Sequence, residues 1–431
     1  MNFILLLLLL TPIYVQAGEF DLEQLLLQLG SRHPRVLVAA NNYASLLENS
    51  KYKKTIYPDP KLGISWVNYP YKKDLTIERN GSVMSGVELR VVQPLPFPGK
   101  LSVQSSLSSL EAEEGRLKLA SEKNNVVRDF LNTLIEIYKL SEMIRITEKY
   151  MEKVQVISDI ASVKYSVGKG DMSEVSKAIV FKSRFHENIV RLKRVMDALL
   201  DTLEYYQLGE ERRDFSAIRP EYLENYLEKS HMRIGKGLDI EQKSVLVAMK
   251  KLEQQKSAKN ITLSKLDAMP DFEVFAAYRK TDRVAGDDTS GEKYMSAGVA
   301  FKVPLWSGLS ARSQIRMMKN RKKSSQMGVV DEISRETAVI RSLQTEIRMI
   351  NERMVIYSEN LIPQAGQSVD SARLAYETGK TDFDRFMDAW NTQYSLETGL
   401  ADLKAQRLNK MSALAYYYNE ILPQVELKNE Q

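Results

Sequence analysis

The sequence predicts a mostly α-helical fold with a β-barrel part, in which a pair of membrane strands followed by a long helical hairpin occurs twice along the chain. Three observations predict it. Long intervals hold almost no helix breaker and carry apolar residues at heptad spacing. Four segments alternate apolar with small or polar side chains. The string YSVGKGDMSEVSKA, residues 165–178, returns as YETGKTDFDRFMDA, residues 376–389.

The chain begins with FILLLLLLTPIYV, an apolar run too short to span a bilayer comfortably, followed by Val15-Gln16-Ala17. This pattern predicts a secretory signal peptide over 1–17, cleaved after Ala17, although no Lys or Arg precedes the run. With no cysteine anywhere in the chain, a lipid anchor on the mature amino terminus is not expected.

The first strand pair is read in PKLGISWVNY and GVELRVVQPL. Leu62, Ile64 and Trp66 alternate with Gly63, Ser65 and Val67, and Val87, Leu89 and Val91 with Glu88, Arg90 and Val92. The second pair is PDFEVFAAYRK and SAGVAFKVPL, where Val299, Phe301 and Val303 alternate with Ala300 and Lys302. Polar loops, PYKKDLTIERNGS and TDRVAGDDTSGEK, join the strands of each pair. Four such strands cannot close a barrel, and an open edge in lipid leaves backbone groups unpaired. Several chains must therefore contribute to one barrel.

After each strand pair comes a stretch fit for a very long helix. From Leu101 to Tyr165 there is no proline and one glycine, Gly115, so an unbroken helix would reach roughly 95 Å at ~1.5 Å per residue. From Leu309 to Leu361, Ile333, Ile340, Ile347, Met354 and Leu361 recur every seven residues, with Leu343, Ile350 and Tyr357 at the offset of three. That is a coiled-coil seam. In the first half Val127, Leu131, Leu134 and Tyr138, then Val154, Ile157 and Ala161, keep the same spacing. Each long stretch ends at a duplicated glycine, Gly168 or Gly379, and another breaker-poor stretch follows, from Met172 to Leu208 and from Phe383 to Leu422. Both halves are read as helical hairpins bent back at these glycines.

The duplication covers nearly the whole mature chain: Pro60 matches Pro270, Gly86 matches Gly298, Pro94-Leu95 matches Pro304-Leu305, Tyr165 matches Tyr376, and Lys169 matches Lys380. The expected organisation is a signal peptide at 1–17, a first repeat at 18–219 and a second at 220–431, with GEERRDFSAIRPEY, residues 209–222, joining the halves.

Composition narrows the chemistry. Without cysteine there is no disulfide, thiolate metal site or cysteine nucleophile, and His33, His186 and His231 form no HxxxH or HxH pair. No Walker-type loop, GxSxG elbow or recognisable Ser-His-acid pattern occurs, so no enzyme and no cofactor is expected. Charges of both signs intermix to a formal net of +5, which is no nucleic-acid footprint. The 17 methionines are dispersed and read as helix packing rather than as a thioether relay for a soft metal.

The order of these features resembles the TolC-like family of bacterial outer-membrane efflux channels. The resemblance runs from about Phe20 to Pro423 and rests on the doubled strand pair and hairpin, the YxxGKxD breaks, QPLPFPGKL at 93–101 and VPLWSGL at 303–309. The PLPFPGK form looks most like the branch that serves heavy-metal cation pumps. The resemblance implies a homotrimer in the outer membrane, with a twelve-stranded barrel continued into the periplasm as a tube of helices. It also implies two partners, a periplasmic adaptor protein and an inner-membrane efflux pump. The duplicated turns would be the periplasmic tips, with Val167, Gly168 and Lys169, and Thr378, Gly379 and Lys380, at the adaptor-docking end. The same residues also read as plain helix terminations. On the inner helix past the second tip, the family carries acids that narrow the closed pore. Asp388 matches one of those positions, Arg385 stands where the family often has a second acid, and Asp384 is a further candidate. A solvated charge pattern is the other reading of these three. Outside the resemblance, a secreted coiled-coil scaffold accounts for the heptads, but not for the four alternating segments.

Overall fold

The computed structural model describes residues 22–55, 57–69, 84–206, 220–234, 240–286, 288, 291–303 and 305–423. The signal-peptide segment, the loop at 70–82 and most of the 209–222 connection lie outside them. In chain order the elements are α1 (Leu22–Arg32), α2 (Pro34–Thr55), β1 (Lys61–Val67), β2 (Gly86–Leu95), α3 (Lys100–Ser166), α4 (Met172–Glu204), α5 (Pro220–Ile234), α6 (Ile240–Lys243), α7 (Val245–Leu266), β3 (Asp271–Thr281), β4 (Lys293–Lys302), α8 (Leu305–Val355), a π-helical turn (Ile356–Leu361), α9 (Ile362–Glu377) and α10 (Phe383–Tyr417). The order strand pair, long helix, reversal, returning helix thus occurs twice. The chain divides into two compact units and crosses between them four times, at the start of α2, inside α3, just before α6 and inside α8.

One unit takes residues 35–122 and 239–338 and holds the sheet. All four strands are antiparallel in the order β1-β2-β3-β4. The register aligns Trp66 with Val87, Ile64 with Leu89 and Tyr278, and Val274 with Val299, so period-two alternation yields one continuous apolar face. It is a bare face: Leu62, Ile64, Trp66, Met295 and Phe301 are each at least 60% exposed. On the opposite face Glu88 is 5% exposed. It accepts from Arg279 Nη2 at 2.6 Å and Arg90 Nη2 at 3.1 Å, while the Arg90 guanidinium lies 5.1 Å from the centre of the Phe275 ring. Gly298 leaves room for that ring, because a Cβ there would lie 2.7 Å from Phe275 Cζ.

The PLPFPGK stretch builds the junction between sheet and helix. Gly99 turns the chain at φ +90, a conformation costly for any residue with a Cβ. Phe97 N–H donates to Asp271 Oδ1 at 2.9 Å, and Lys100 Nζ reaches Asp271 at 3.1 Å and Asp267 at 3.3 Å. The Phe97 ring stacks on Phe272, which meets Phe301 edge-on at 5.2 Å. In the second repeat the helix begins at Leu305, four residues before the expected Leu309, since Gly308 is tolerated within the first turn.

The other unit takes the described parts of 1–34, 123–238 and 339–431. Its core follows the heptads read from sequence. Ile340, Leu343, Ile347 and Ile350 are buried, as are Val127, Leu131, Leu134, Val154, Ile157 and Ala161. Two differences appear. Between Val126 and Ile137, α3 is buried on more than one side, with Phe130 and Ile135 fully enclosed besides the seam. Beyond Ile350 the seam loosens, because Tyr357 and Leu361 fall in the π-helical turn and are only partly buried. Farther along, Tyr150 packs edge-on against Trp390 at 4.8 Å and Tyr394 at 5.2 Å, and its hydroxyl donates to Glu397 at 3.0 Å. Burying one such aromatic contributes about 1.5–3 kcal/mol.

Polar exceptions sit on α8. Glu332 and Glu336, one turn apart, are 7% and 1% exposed. Neither carboxylate oxygen of Glu336 has a hydrogen-bond partner among the described residues. Burial pushes its carboxyl above the ordinary range; the adjacent Ser244, which caps α7, partly opposes this, and Glu332 adds to it. A carboxyl raised in the folded state destabilises the fold once pH exceeds its unfolded pKa, and the loss is complete above the folded pKa. Glu336→Gln is therefore expected to raise the thermal unfolding temperature near pH 8 and to leave it unchanged near pH 4. An equal effect at both pH values would show that the charge of Glu336 is irrelevant.

Candidate functional site

The site is the pair of helix reversals in the hairpin unit. Both close in the same way. At the first, Lys169 N–H donates to Lys164 O at 2.8 Å and Gly168 N–H to Tyr165 O at 3.0 Å. At the second, Lys380 N–H donates to Ala375 O at 2.8 Å and Gly379 N–H to Tyr376 O at 3.1 Å. This is the Schellman arrangement, and it sets Gly168 at φ +71 and Gly379 at φ +73. A Cβ on either glycine meets nothing within 4 Å, so backbone conformation alone selects glycine there. The next helix starts three residues past each lysine. Asp171 caps α4 by accepting from Ser173 N, and Asp382 caps α10 by accepting from Arg385 N. The duplicated YxxGKxD string is thus a stop signal followed by a start signal.

Val167, Gly168, Lys169, Thr378, Gly379 and Lys380 all lie on these turns and are exposed, Val167 by 61%. Asp384, Arg385 and Asp388 occupy the exposed face of α10, opposite the buried Phe383, Phe386, Met387 and Trp390. The three do not act alike. Asp384 bridges to Lys177 of the first hairpin at 2.6 Å. Among the described residues the side chains of Arg385 and Asp388 have no ion-pair partner within the chain.

The sequence reading missed the residues that tie the two reversals together. Tyr376, 2% exposed, donates its hydroxyl to Glu174 at 2.8 Å. Lys164 sets its ammonium 3.8 Å from the centre of the same ring and donates to the Tyr376 carbonyl. The signal lay in the duplication, because the two copies differ in charge at matched positions: Glu174 matches Arg385, and Lys177 matches Asp388.

Nothing in this arrangement resembles a reacting centre. Among the described residues no cluster of His, Asp or Glu is placed to hold a metal ion, and no helix is long and apolar enough to cross a membrane. The arrangement can hold or release one hairpin relative to the other through a small set of polar contacts.

A scan against protein-family models and a search of curated proteins give no match. Solved structures do match. The outer-membrane channel OprN superposes with a TM-score of 0.73 at 13% identity, over 93% of this chain and 90% of that one. The outer membrane protein VceC of Vibrio cholerae gives 0.71 at 13%, over 92% and 95%. The outer membrane channel CmeC of Campylobacter jejuni gives 0.71 at 12%, over 94% and 86%. At such identities the likeness is one of architecture, and the architecture of this chain is that of the TolC-like outer-membrane channels, the family its duplicated motifs resemble.

Proposed function

We propose that the protein is the outer-membrane channel of a tripartite efflux system, a passive exit duct that receives substrates from an inner-membrane pump through a periplasmic adaptor. The single observation that carries this reading is the open four-stranded sheet with one bare apolar face, in a chain with the fold of outer-membrane channels. Such a face suits hydrocarbon, and unpaired edges on β1 and β4 require neighbours there. Three copies supply twelve strands. In this reading 1–17 is the signal peptide, 18–219 and 220–431 are the two repeats, and the hairpins form a periplasmic helical tube. Its substrate follows from the pump; the form of PLPFPGK favours the heavy-metal cation branch.

The experiment that tests it is to extract the protein from outer membranes in detergent, measure its mass and record it in planar bilayers. Particles of three chains that conduct are expected. A fully folded particle of one chain overturns the reading.

Arg385 and Asp388 are assigned to hold the periplasmic entrance shut, in line with their exposure next to the second reversal and their lack of ion-pair partners among the described residues. Contacts of charged side chains in so wet a place are individually weak, about 0–1 kcal/mol. Closure is then shared with Lys177–Asp384 and Glu174–Tyr376. The double variant Arg385→Ala/Asp388→Ala is expected to raise single-channel conductance, with the largest effect at low salt. Parental conductance at low salt would remove both residues from the gate.

The exposed turns are assigned to adaptor docking. Gly168→Val or Gly379→Val imposes a left-handed backbone on a β-branched residue, a local cost of roughly 1–2 kcal/mol. Such variants are expected to assemble as trimers and to lose export. Normal export by both variants would show that the turns only end helices.

A further inference from the structure

The two hairpins present matched residues in opposite states. Tyr165, Met172 and Ile179, spaced by seven on the first hairpin, are 50%, 51% and 53% exposed. Their duplicates on the second hairpin, Tyr376, Phe383 and Trp390, are 2%, 2% and 5% exposed. The second set is covered by the first hairpin of the same chain: Lys164 and Glu174 close over Tyr376, and Tyr150 packs on Trp390. The first set has the same spacing and a similar apolar character, and no such cover among the described residues.

The polar residues repeat the pattern. Glu174 takes the Tyr376 hydroxyl and Lys177 takes Asp384. The duplicate of Glu174 is Arg385, that of Lys177 is Asp388, and that of Asp384 is Ser173. Arg385 and Asp388 are exposed. The within-chain interface is therefore a template whose second half is unfilled, and the segment that matches its missing half is the second hairpin of another copy.

We propose that the second hairpin of one chain packs on the first hairpin of the next copy in the manner of the within-chain interface, with Arg385 against Tyr165 and Asp388 beside Ser173 of that neighbour. The chemistry fits each pair. A guanidinium has only donors, so Arg385 donates to the phenol oxygen or lies on the ring face, where Glu174 accepts from Tyr376. Asp388 accepts from the Ser173 hydroxyl. Covering Tyr165, Met172 and Ile179 removes three large side chains from water, and this burial rather than the polar pairs supplies most of the stabilisation. The contact is heterologous and closes into a ring when the rotation per copy divides a full turn. The proposal rests on the trimeric reading above and adds which residues meet across the boundary.

The chain contains no cysteine, so thiol cross-linking reads single pairs without background. Tyr165→Cys/Arg385→Cys and Ser173→Cys/Asp388→Cys are treated with a short bis-maleimide on purified trimers and run on denaturing gels. Covalent dimers and trimers are expected from both pairs. The within-chain pair Glu174→Cys/Tyr376→Cys is expected to stay at the mass of one chain, and Tyr165→Cys alone to give no ladder. Intact trimers that yield only single chains from both cross-boundary pairs overturn the pairing. A native particle of one chain instead overturns the trimeric reading beneath it.

Discussion

The constraint on which the rest depends is the obligation to pair every backbone N–H and C=O in a place without water. Four strands in the order β1-β2-β3-β4 leave two edges unsatisfied, and one face of the sheet carries Trp66, Met295 and Phe301 almost bare. A sheet of this kind is stable in water only at the risk of edge-to-edge aggregation. In lipid, closed by its own copies, it loses both faults at once. In the proposed channel, association of chains is thus a consequence of strand count.

The sheet's other face shows how buried charge is tolerated there. Glu88 is held between Arg279 and Arg90, with Phe275 beneath one guanidinium and Gly298 beneath the ring. Glu88 thus has two opposite charges within hydrogen-bond distance, which limits the desolvation cost of burying it. Small residues at Gly63, Ala277 and Ser296 align with Arg90 across the register. They give the long side chains space to lie flat along the wall.

Much of this was legible in the sequence, because long-range order here is written in simple periods. Alternation in PKLGISWVNY and GVELRVVQPL located β1 and β2, and heptads located the seam through Ile340, Leu343, Ile347 and Ile350. The glycines at both reversals declared themselves by repetition. What stayed hidden was whatever depends on contact between segments distant in sequence. Periodicity does not tell that Tyr376 is enclosed while Tyr165 is open, or that Asp384 reaches Lys177. It does place Glu336 on the seam, seven residues before Leu343, but does not reveal that its carboxylate is left there without a hydrogen-bond partner among the described residues. The functional assignment of Arg385 and Asp388 is of the same kind: a position on a helix is readable, and its neighbour across a boundary is not.

The π-helical turn at Ile356–Leu361 has a counterpart in arithmetic. Pro94-Leu95 and Pro304-Leu305 are offset by 210, Tyr165 and Tyr376 by 211. Between those landmarks the second copy has one residue more than the first. In an unbroken α-helix an added residue would rotate everything beyond it by about 100° and swing the reversal off its face. A wider turn absorbs the extra residue locally. The second copy therefore holds one residue more in mid-helix without losing the phase of either end, and the place that accommodates it is a single loosened coil where Tyr357 lies over Gly399.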